Sequence, residues 1–238
     1  LIGESSWQEV KMILENYLWT GQGFFSENEI TQIHACADRL DYHIQMVGQS
    51  NSLDPDGKVD TDGTVNEELR QGQVKWFVNE ESTMPQPIID KLYNALELSM
   101  AESNWNFKID YNENIQYTVY EAQPEKRTGD FYTWHTDSGP LVYDNGMMRK
   151  MSMTIQLSDP DEYEGGHFQW LEPYEQFNRL TKNDTVIDMD SSIRTIPFSA
   201  KQKGSVVAFP SFVYHQVTPV TKGTRKSLVV WFCGKPYV

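Results

Sequence analysis

Residues 204–231 read GSVVAFPSFVYHQVTPVTKGTRKSLVVW, and this stretch decides the fold. Two short apolar, β-branched runs, Ser205 to Phe209 and Tyr214 to Val217, precede a polar turn at Thr221 to Thr224 and a last run from Ser227 to Phe232. The expected order is strand, strand, turn, strand. His215 falls ten residues before Arg225, and period-two alternation puts Ser227 on the same side of the last strand as Arg225. A hairpin over Lys222-Gly223 would bring imidazole and guanidinium to the same end of one sheet. Alone, such a pair is most simply a satisfied polar contact.

Eighty residues before His215 stands Trp134-His135-Thr136-Asp137. His-x-Asp on an extended segment sends both side chains to one face, roughly 7 Å apart along the backbone, from which a nitrogen and a carboxylate oxygen can converge on one ion. A third ligand would complete two histidines and one carboxylate on one face of an octahedron, with three positions left open, an arrangement suited to non-haem iron(II). His215 is the candidate. Isolated His-x-Asp tripeptides arise often by chance, but a distal His with an Arg ten residues later makes the combination far more selective.

His135, Asp137, His215, Arg225 and Ser227 together resemble the signature of the iron(II)- and 2-oxoglutarate-dependent oxygenases, and finer details resemble their prolyl 4-hydroxylase-like branch. Tyr132 stands three residues before the first histidine, LSDPDEYEGGHF at 157–168 resembles a strand followed by an acidic turn and Glu-Gly-Gly, and Trp231 follows Arg225 by six residues. The similarity covers about residues 113 to 233. In two places the chain departs from the pattern. His167 stands where Glu often follows Glu-Gly-Gly, and Arg225 stands where many prolyl hydroxylases use lysine.

The resemblance implies a double-stranded β-helix, the jelly-roll or cupin-like core, with iron(II) held by His135, Asp137 and His215. It further implies that 2-oxoglutarate chelates iron at its oxo-acid end while its far carboxylate meets the Arg225 fork, with Ser227 adding a hydroxyl. Gln116 and Tyr120 share one face of the strand IQYTVYEA, as Ser152, Thr154 and Gln156 do on KMSMTIQL. By the same resemblance, Tyr120 and one of the hydroxyls of Ser152 or Thr154 help hold the co-substrate, while Gln116, Gln156, Tyr132 and Trp231 wall the pocket. The implied reaction consumes O2 and turns 2-oxoglutarate into succinate and carbon dioxide while an unactivated C–H bond is hydroxylated, with ascorbate as a supporting reductant. No protein general base is required.

Composition bounds the rest. The chain has 238 residues, enough for a single domain with one substantial core: residues 1–105 are expected to be mainly helical support with a polar loop, and 106–238 the catalytic jelly roll. The fold class is mainly β with N-terminal helices (α+β). A formal charge of −14 argues against a phosphate-tracking surface, so no nucleic-acid partner is expected. No apolar run approaches the roughly 18 residues needed to span a membrane. LIGESSWQEV shows no basic segment followed by an apolar one, so no secretory signal is expected, and without Met at the start, residues before Leu1 are. Cys36 and Cys233 read as small buried hydrophobes rather than a disulfide framework, which suits a reducing cytoplasm and iron(II).

Along the chain, residues 7–19 suggest a short helix, and Ser26 with Glu29 has capping-box spacing ahead of an amphipathic helix running to about Val47. His34 and His43 lie nine apart on it, wrong for one metal, and are read as structural. Residues 48–68 are polar, and their Asp-x-Asp-Gly elements do not fit a calcium loop, so a solvated loop, conceivable as a lid, is expected. Gln73 to Val78 alternates as a strand, and Pro85 or Pro87 opens a helix through PIIDKLYNALELSMAESNW. From Phe107 the chain becomes strand after strand: FKIDY, IQYTVYEA, FYTWHTD, KMSMTIQLS, HFQWLE, TVIDM, IRTIPF, SVVAFP, VYHQV and SLVVWF. His167 is expected to face the surface or stabilise a turn. The leading function is a hydroxylase acting on a peptide or protein prolyl residue or a small amino-acid-like molecule. A metal-dependent cupin isomerase or dioxygenase, or a jelly roll that binds a ligand without turnover, are the alternatives, and neither needs Arg225 and Ser227.

Overall fold

Alternation in three long strands sets the layers. The computed structural model describes residues 16–44, 66–81, 83–125, 128–139, 142–172 and 192–236. Its strands are β1 (Trp19–Gly21), β2 (His43–Ile44), β3 (Arg70–Gln71), β4 (Gln73–Phe77), β5 (Tyr111–Asn112), β6 (Ile115–Glu121), β7 (Phe131–His135), β8 (Met148–Gln156), β9 (Tyr163–Gly165), β10 (Phe168–Leu171), β11 (Ile193–Thr195), β12 (Val206–Pro210), β13 (His215–Val217) and β14 (Val220–Gly234). Helices α1 (Glu27–Ala37), α2 (Gln86–Glu102) and α3 (Phe198–Lys201), with two single-turn 3-10 helices at Asn79–Glu81 and Pro160–Glu162, complete the described elements. One sheet has the order β1-β12-β8-β14-β6-β4-β2, with β5 and β9 also paired to β14; the other runs β11-β10-β13-β7-β3. This is a mostly β chain with a jelly-roll core.

The larger sheet has two unlike faces. Leu228, Val230 and Phe232 of β14, Met151, Met153 and Ile155 of β8, and Ile115, Tyr117 and Val119 of β6 form one buried core with Ile30 and Ile33 of α1 and Ile88, Leu92 and Leu96 of α2. Each such side chain contributes about 1.5–3 kcal/mol by leaving water. The opposite face carries Arg225, Ser227, Ser152, Thr154, Gln156, Gln116 and Thr118, all buried. Polar groups concentrated inside a barrel mark a site rather than a core, because burying them costs free energy that packing alone does not return.

The N-terminal half supplies more than helices, since β1, β2 and β4 extend the larger sheet and β3 the smaller. Helix α1 starts at the expected capping box, with the Ser26 amide donating to Glu29 Oε2 at 2.7 Å, but it ends at Ala37 rather than near Val47. Its buried stripe of Ile30, Ile33 and Ala37 runs out there, the Asp38 amide caps the His34 carbonyl, and His43 pairs with Val74 as a strand. The helix expected over residues 7–19 lies mostly outside the described residues, and Trp19 pairs with Ala208 in a sheet. Residues 48–65 and the expected strand TVIDM also lie outside them. FKIDY contributes only Tyr111 to a strand, and IRTIPF divides into β11 and the start of α3 after Pro197.

The expected hairpin over Lys222-Gly223 does not form. Strand β14 runs unbroken from Val220 to Gly234, and Gly223, at φ 68°, lets it bend where a Cβ would come within 1.9 Å of the Glu162 carbonyl oxygen. At that bend the strand changes partner, from Tyr163 of β9 opposite Gly223 to Glu121 of β6 opposite Thr224. His215 and Arg225 therefore stand in different sheets and reach one cavity from two sides.

Candidate metal centre and co-substrate pocket

His135 ends β7 and His215 opens β13, and the two residues face each other across the antiparallel pair. Asp137 follows two residues after His135, where the amides of Asp137 and Ser138 both donate to the Ser211 carbonyl at 2.9 Å. One ligand atom from each of His135, Asp137 and His215 lies within 4.8 Å of the others.

The backbone fixes the polarity of both rings. His135 Nδ1 lies 2.7 Å from the Thr133 carbonyl and His215 Nδ1 lies 2.9 Å from that of Val213. A carbonyl only accepts, so each Nδ1 carries the proton and each neutral ring turns its Nε2 lone pair inward. Those Nε2 atoms stand 3.6 and 3.7 Å from the two carboxylate oxygens of Asp137. Acceptors alone converge, and a cation is what such a set calls for; the donors fit iron(II).

Burial and the neighbouring His135 push His215 down to about 4, against the pull of Asp137 and the Val213 carbonyl. Burial opposes ionisation of Asp137, but His215, His135 and Arg149 hold its carboxyl well below the usual range. Both shifts act on stability in the same sense. Between pH 6.5 and 4 the unfolded chain takes up a proton at this histidine that the folded chain refuses, and at lower pH unfolded Asp137 does likewise. The metal-free protein is expected to lose melting temperature steadily as the buffer is taken from pH 6.5 to 4, and a flat profile across that window would contradict the burial of a neutral His215.

Across the cavity Arg225 is 3% exposed. Its Nη1 donates to Ser227 Oγ at 3.3 Å and its Nη2 to Gln156 Oε1 at 3.0 Å, while Nε, like Gln156 Nε2, is buried without a partner. Among the described residues no carboxylate pairs with it. The two glycines of Glu-Gly-Gly explain how the strand lies so close: at Gly166 a Cβ would meet Arg225 Cδ at 2.8 Å, and at Gly165 the Pro219 carbonyl at 2.1 Å.

The cavity brings together His135, Asp137 and His215 with Arg225, Ser227, Tyr120, Thr154, Tyr132, Gln116 and Trp231. Ser152 and Gln156 are not among its lining. Ser152 Oγ bonds Ser211 Oγ at 2.9 Å, bracing the residue that holds Asp137, and Gln156 is spent on Arg225. The Tyr132 ring stacks on His135 with centroids 3.4 Å apart, and Phe168 stacks on His215 at 5.3 Å. His167 stands away from the lining and accepts from Lys201 Nζ. His34 bonds the Tyr117 hydroxyl at 2.8 Å behind the larger sheet.

Sequence reasoning missed two cations. Arg70 lines the cavity from β3, a two-residue strand too short for any periodicity to betray. Arg149 lies over the Trp231 ring at 3.9 Å and forks onto Glu113 at 2.9 and 2.6 Å. An Arg at the start of the apolar run KMSMTIQL and a Glu before IQYTVYEA were its only signal.

Residues 115–233 match the 2OG-Fe(II) oxygenase superfamily. The chain belongs to that family. A PKHD-type hydroxylase of Shewanella sp. (strain MR-7) is 33% identical over 104 residues, which are 43% of this chain and 38% of the relative. One from Teredinibacter turnerae is 31% identical over 107 residues, 44% and 38% of the two chains. The match thus spans well under half the length of these curated relatives. Among solved structures, the viral collagen prolyl hydroxylase of Paramecium Bursaria Chlorella virus-1 aligns with 92% of this chain and 97% of its own, at TM-score 0.55 and 18% identity. A Pseudomonas putida prolyl-4-hydroxylase aligns over 92% and 94% at TM-score 0.54 and 17% identity. Both share the fold of this 2OG-Fe(II) oxygenase.

Proposed function

We propose that the chain is an iron(II)- and 2-oxoglutarate-dependent dioxygenase that hydroxylates an unactivated C–H bond in the manner of the prolyl 4-hydroxylases. One observation carries this reading: two inward lone pairs and a buried carboxylate share a cavity with a buried guanidinium that no carboxylate of the described residues neutralises. His135, Asp137 and His215 would hold iron. Arg225 with Ser227 would take the far carboxylate of 2-oxoglutarate, while Tyr120 and Thr154 line its path and Ser152 acts indirectly by bracing Ser211. When bound, iron with O2 supplies the oxidation that turns the co-substrate into succinate and carbon dioxide and places oxygen on the substrate carbon.

The protein's own part is to position and to exclude water. Phe168 and Phe209 close one side of His215, with ring centroids 5.3 and 4.6 Å from it, and Tyr132 covers His135. The proposed substrate is a peptide or protein prolyl residue, or a small amino-acid-like molecule, entering from the cavity's open side. No helix among the described residues is long and apolar enough to cross a membrane. Two free cysteines, Cys36 and Cys233, support a reducing, cytoplasmic setting.

The test is succinate release from 2-oxoglutarate with added iron(II), O2 and ascorbate. Metal-dependent succinate is the expected result. Its complete absence, with the chain folded and the metal bound, would leave the non-catalytic jelly roll as the better reading, and turnover indifferent to Arg225 would favour the metal cupin.

A further inference from the structure

An ion pair stands one ring behind the metal centre. Arg149 Nε and Nη2 donate to Glu113 at 2.9 and 2.6 Å, and the two side chains are 10% and 13% exposed. Glu113 also accepts from the Tyr143 hydroxyl at 2.8 Å and from the Cys233 thiol at 3.2 Å. Among the described residues, Glu113 is the carboxylate that pairs with Arg149.

A bulge aims this arginine. Alternation in β8 would place Arg149 with Met151 and Met153 on the core face. Against β14, however, the register moves from Phe232 opposite Met151 to Cys233 opposite Arg149, so Lys150 is extra and the side-chain direction reverses. The guanidinium accordingly lies over the Trp231 ring, its Cζ 3.9 Å from the centroid, and Trp231 lines the cavity together with His135, Asp137 and His215. The backbone joins the same two places: the Lys150 carbonyl accepts the Ser211 amide, and the Ser211 carbonyl accepts those of Asp137 and Ser138, all at 2.9 Å. Burial opposes both charges, and among the groups that offset it Arg149 acts on Asp137 and Asp137 on Arg149.

A divalent ion at the triad would therefore meet a guanidinium across a single aromatic ring. At such range and burial an uncompensated positive charge opposes a cation strongly, whereas a neutral pair does so only weakly. Glu113 is neither a ligand nor part of the cavity lining, so its effect on the ion passes through Arg149. We infer that Glu113 is a positioning residue for the metal centre: it holds Arg149 behind Trp231 and cancels its charge, so that the attraction of Asp137 for the ion is not offset.

This inference rests on metal binding by His135, Asp137 and His215, and the experiment separates the two. Manganese(II) affinity of the full chain without 2-oxoglutarate is read from the paramagnetic resonance of the free ion. Wild type is compared with Glu113→Gln, Arg149→Met and the double variant. Glu113→Gln keeps the shape of the acceptor and leaves Arg149 uncompensated, so affinity should fall about tenfold or more. Arg149→Met strands the opposite charge and should bind the ion at least as tightly as wild type. The double variant carries neither charge and should return to within about threefold of wild type, a rescue that marks direct coupling of the two groups. A pair that only braced the fold would weaken binding in all three, and most in the double variant. Melting curves show which variants fold, and should Glu113→Gln fail to, the other two decide. Wild-type affinity in Glu113→Gln, weakened binding in Arg149→Met, or a double variant that binds well below wild type overturns the inference while the metal site stands. A wild-type chain that takes up no manganese removes both.

Discussion

Asp137→Ala is expected to lower iron(II)-dependent succinate formation by more than about a hundredfold, since losing merely a hydrogen-bond partner of a metal ligand already costs about 10–100-fold. Asp137 supplies the only ionised ligand of the three. Two neutral imidazoles remain in the variant, each still tied through Nδ1 to the carbonyl of Thr133 or Val213. Local structure should survive, because Asp137 is anchored through its backbone amide to Ser211 rather than through its side chain. The measurement therefore pairs activity with thermal melting in manganese(II). Wild type should gain about 2.7 kcal/mol at a hundredfold excess of ion over Kd, and the variant should gain almost nothing at the same concentration. Turnover that persists in Asp137→Ala would move the metal elsewhere.

Arg225→Met should separate binding from folding. Methionine keeps much of the aliphatic stem and removes a charge that, among the described residues, is hydrogen-bonded to Ser227 and Gln156 and paired with no carboxylate. The co-substrate-free variant is accordingly expected to be more stable by about 1 kcal/mol or more, as when buried ionic groups give way to apolar ones. Its affinity for 2-oxoglutarate should fall by about two to four orders of magnitude, the equivalent of roughly 3–5 kcal/mol for stranding one member of a buried ion pair. Arg225→Lys should lie between, since it retains the charge and loses the fork. Calorimetric titration and melting curves on the same preparations check both signs, and unchanged affinity in Arg225→Met would dismiss this residue as the co-substrate anchor.

What could be read from residues alone was the local grammar. Alternation in IQYTVYEA, KMSMTIQL and RKSLVVW placed Gln116, Thr154, Arg225 and their neighbours on one face, because side-chain direction in a strand depends only on position. The His-x-Asp spacing brings both ligands to one cavity although β7 ends at His135, because the Ser211 carbonyl holds the amides of Asp137 and Ser138. Pairing between distant strands was not legible. Nothing in VTPVTKGTR says that His215 and Arg225 belong to different sheets, since Gly223 permits a hairpin turn or a bend with equal ease and the choice is made by β9 and β6. Ser152 faced the expected side yet found Ser211 there, a partner set by the register of β12 against β8. Arg70 was hidden because a two-residue strand has no period, and its place follows from pairing with Tyr132. Helix α1 stopped early where its apolar stripe gave out, which composition over a longer window had blurred.

The carbonyls of Thr133 and Val213 set the imidazole tautomers before any ion arrives. A nest prepared in advance by the main chain cannot tell one divalent first-row ion from another by shape, and nitrogen and oxygen donors rank zinc and copper above ferrous ion. Which ion fills this nest is then governed by supply rather than by shape.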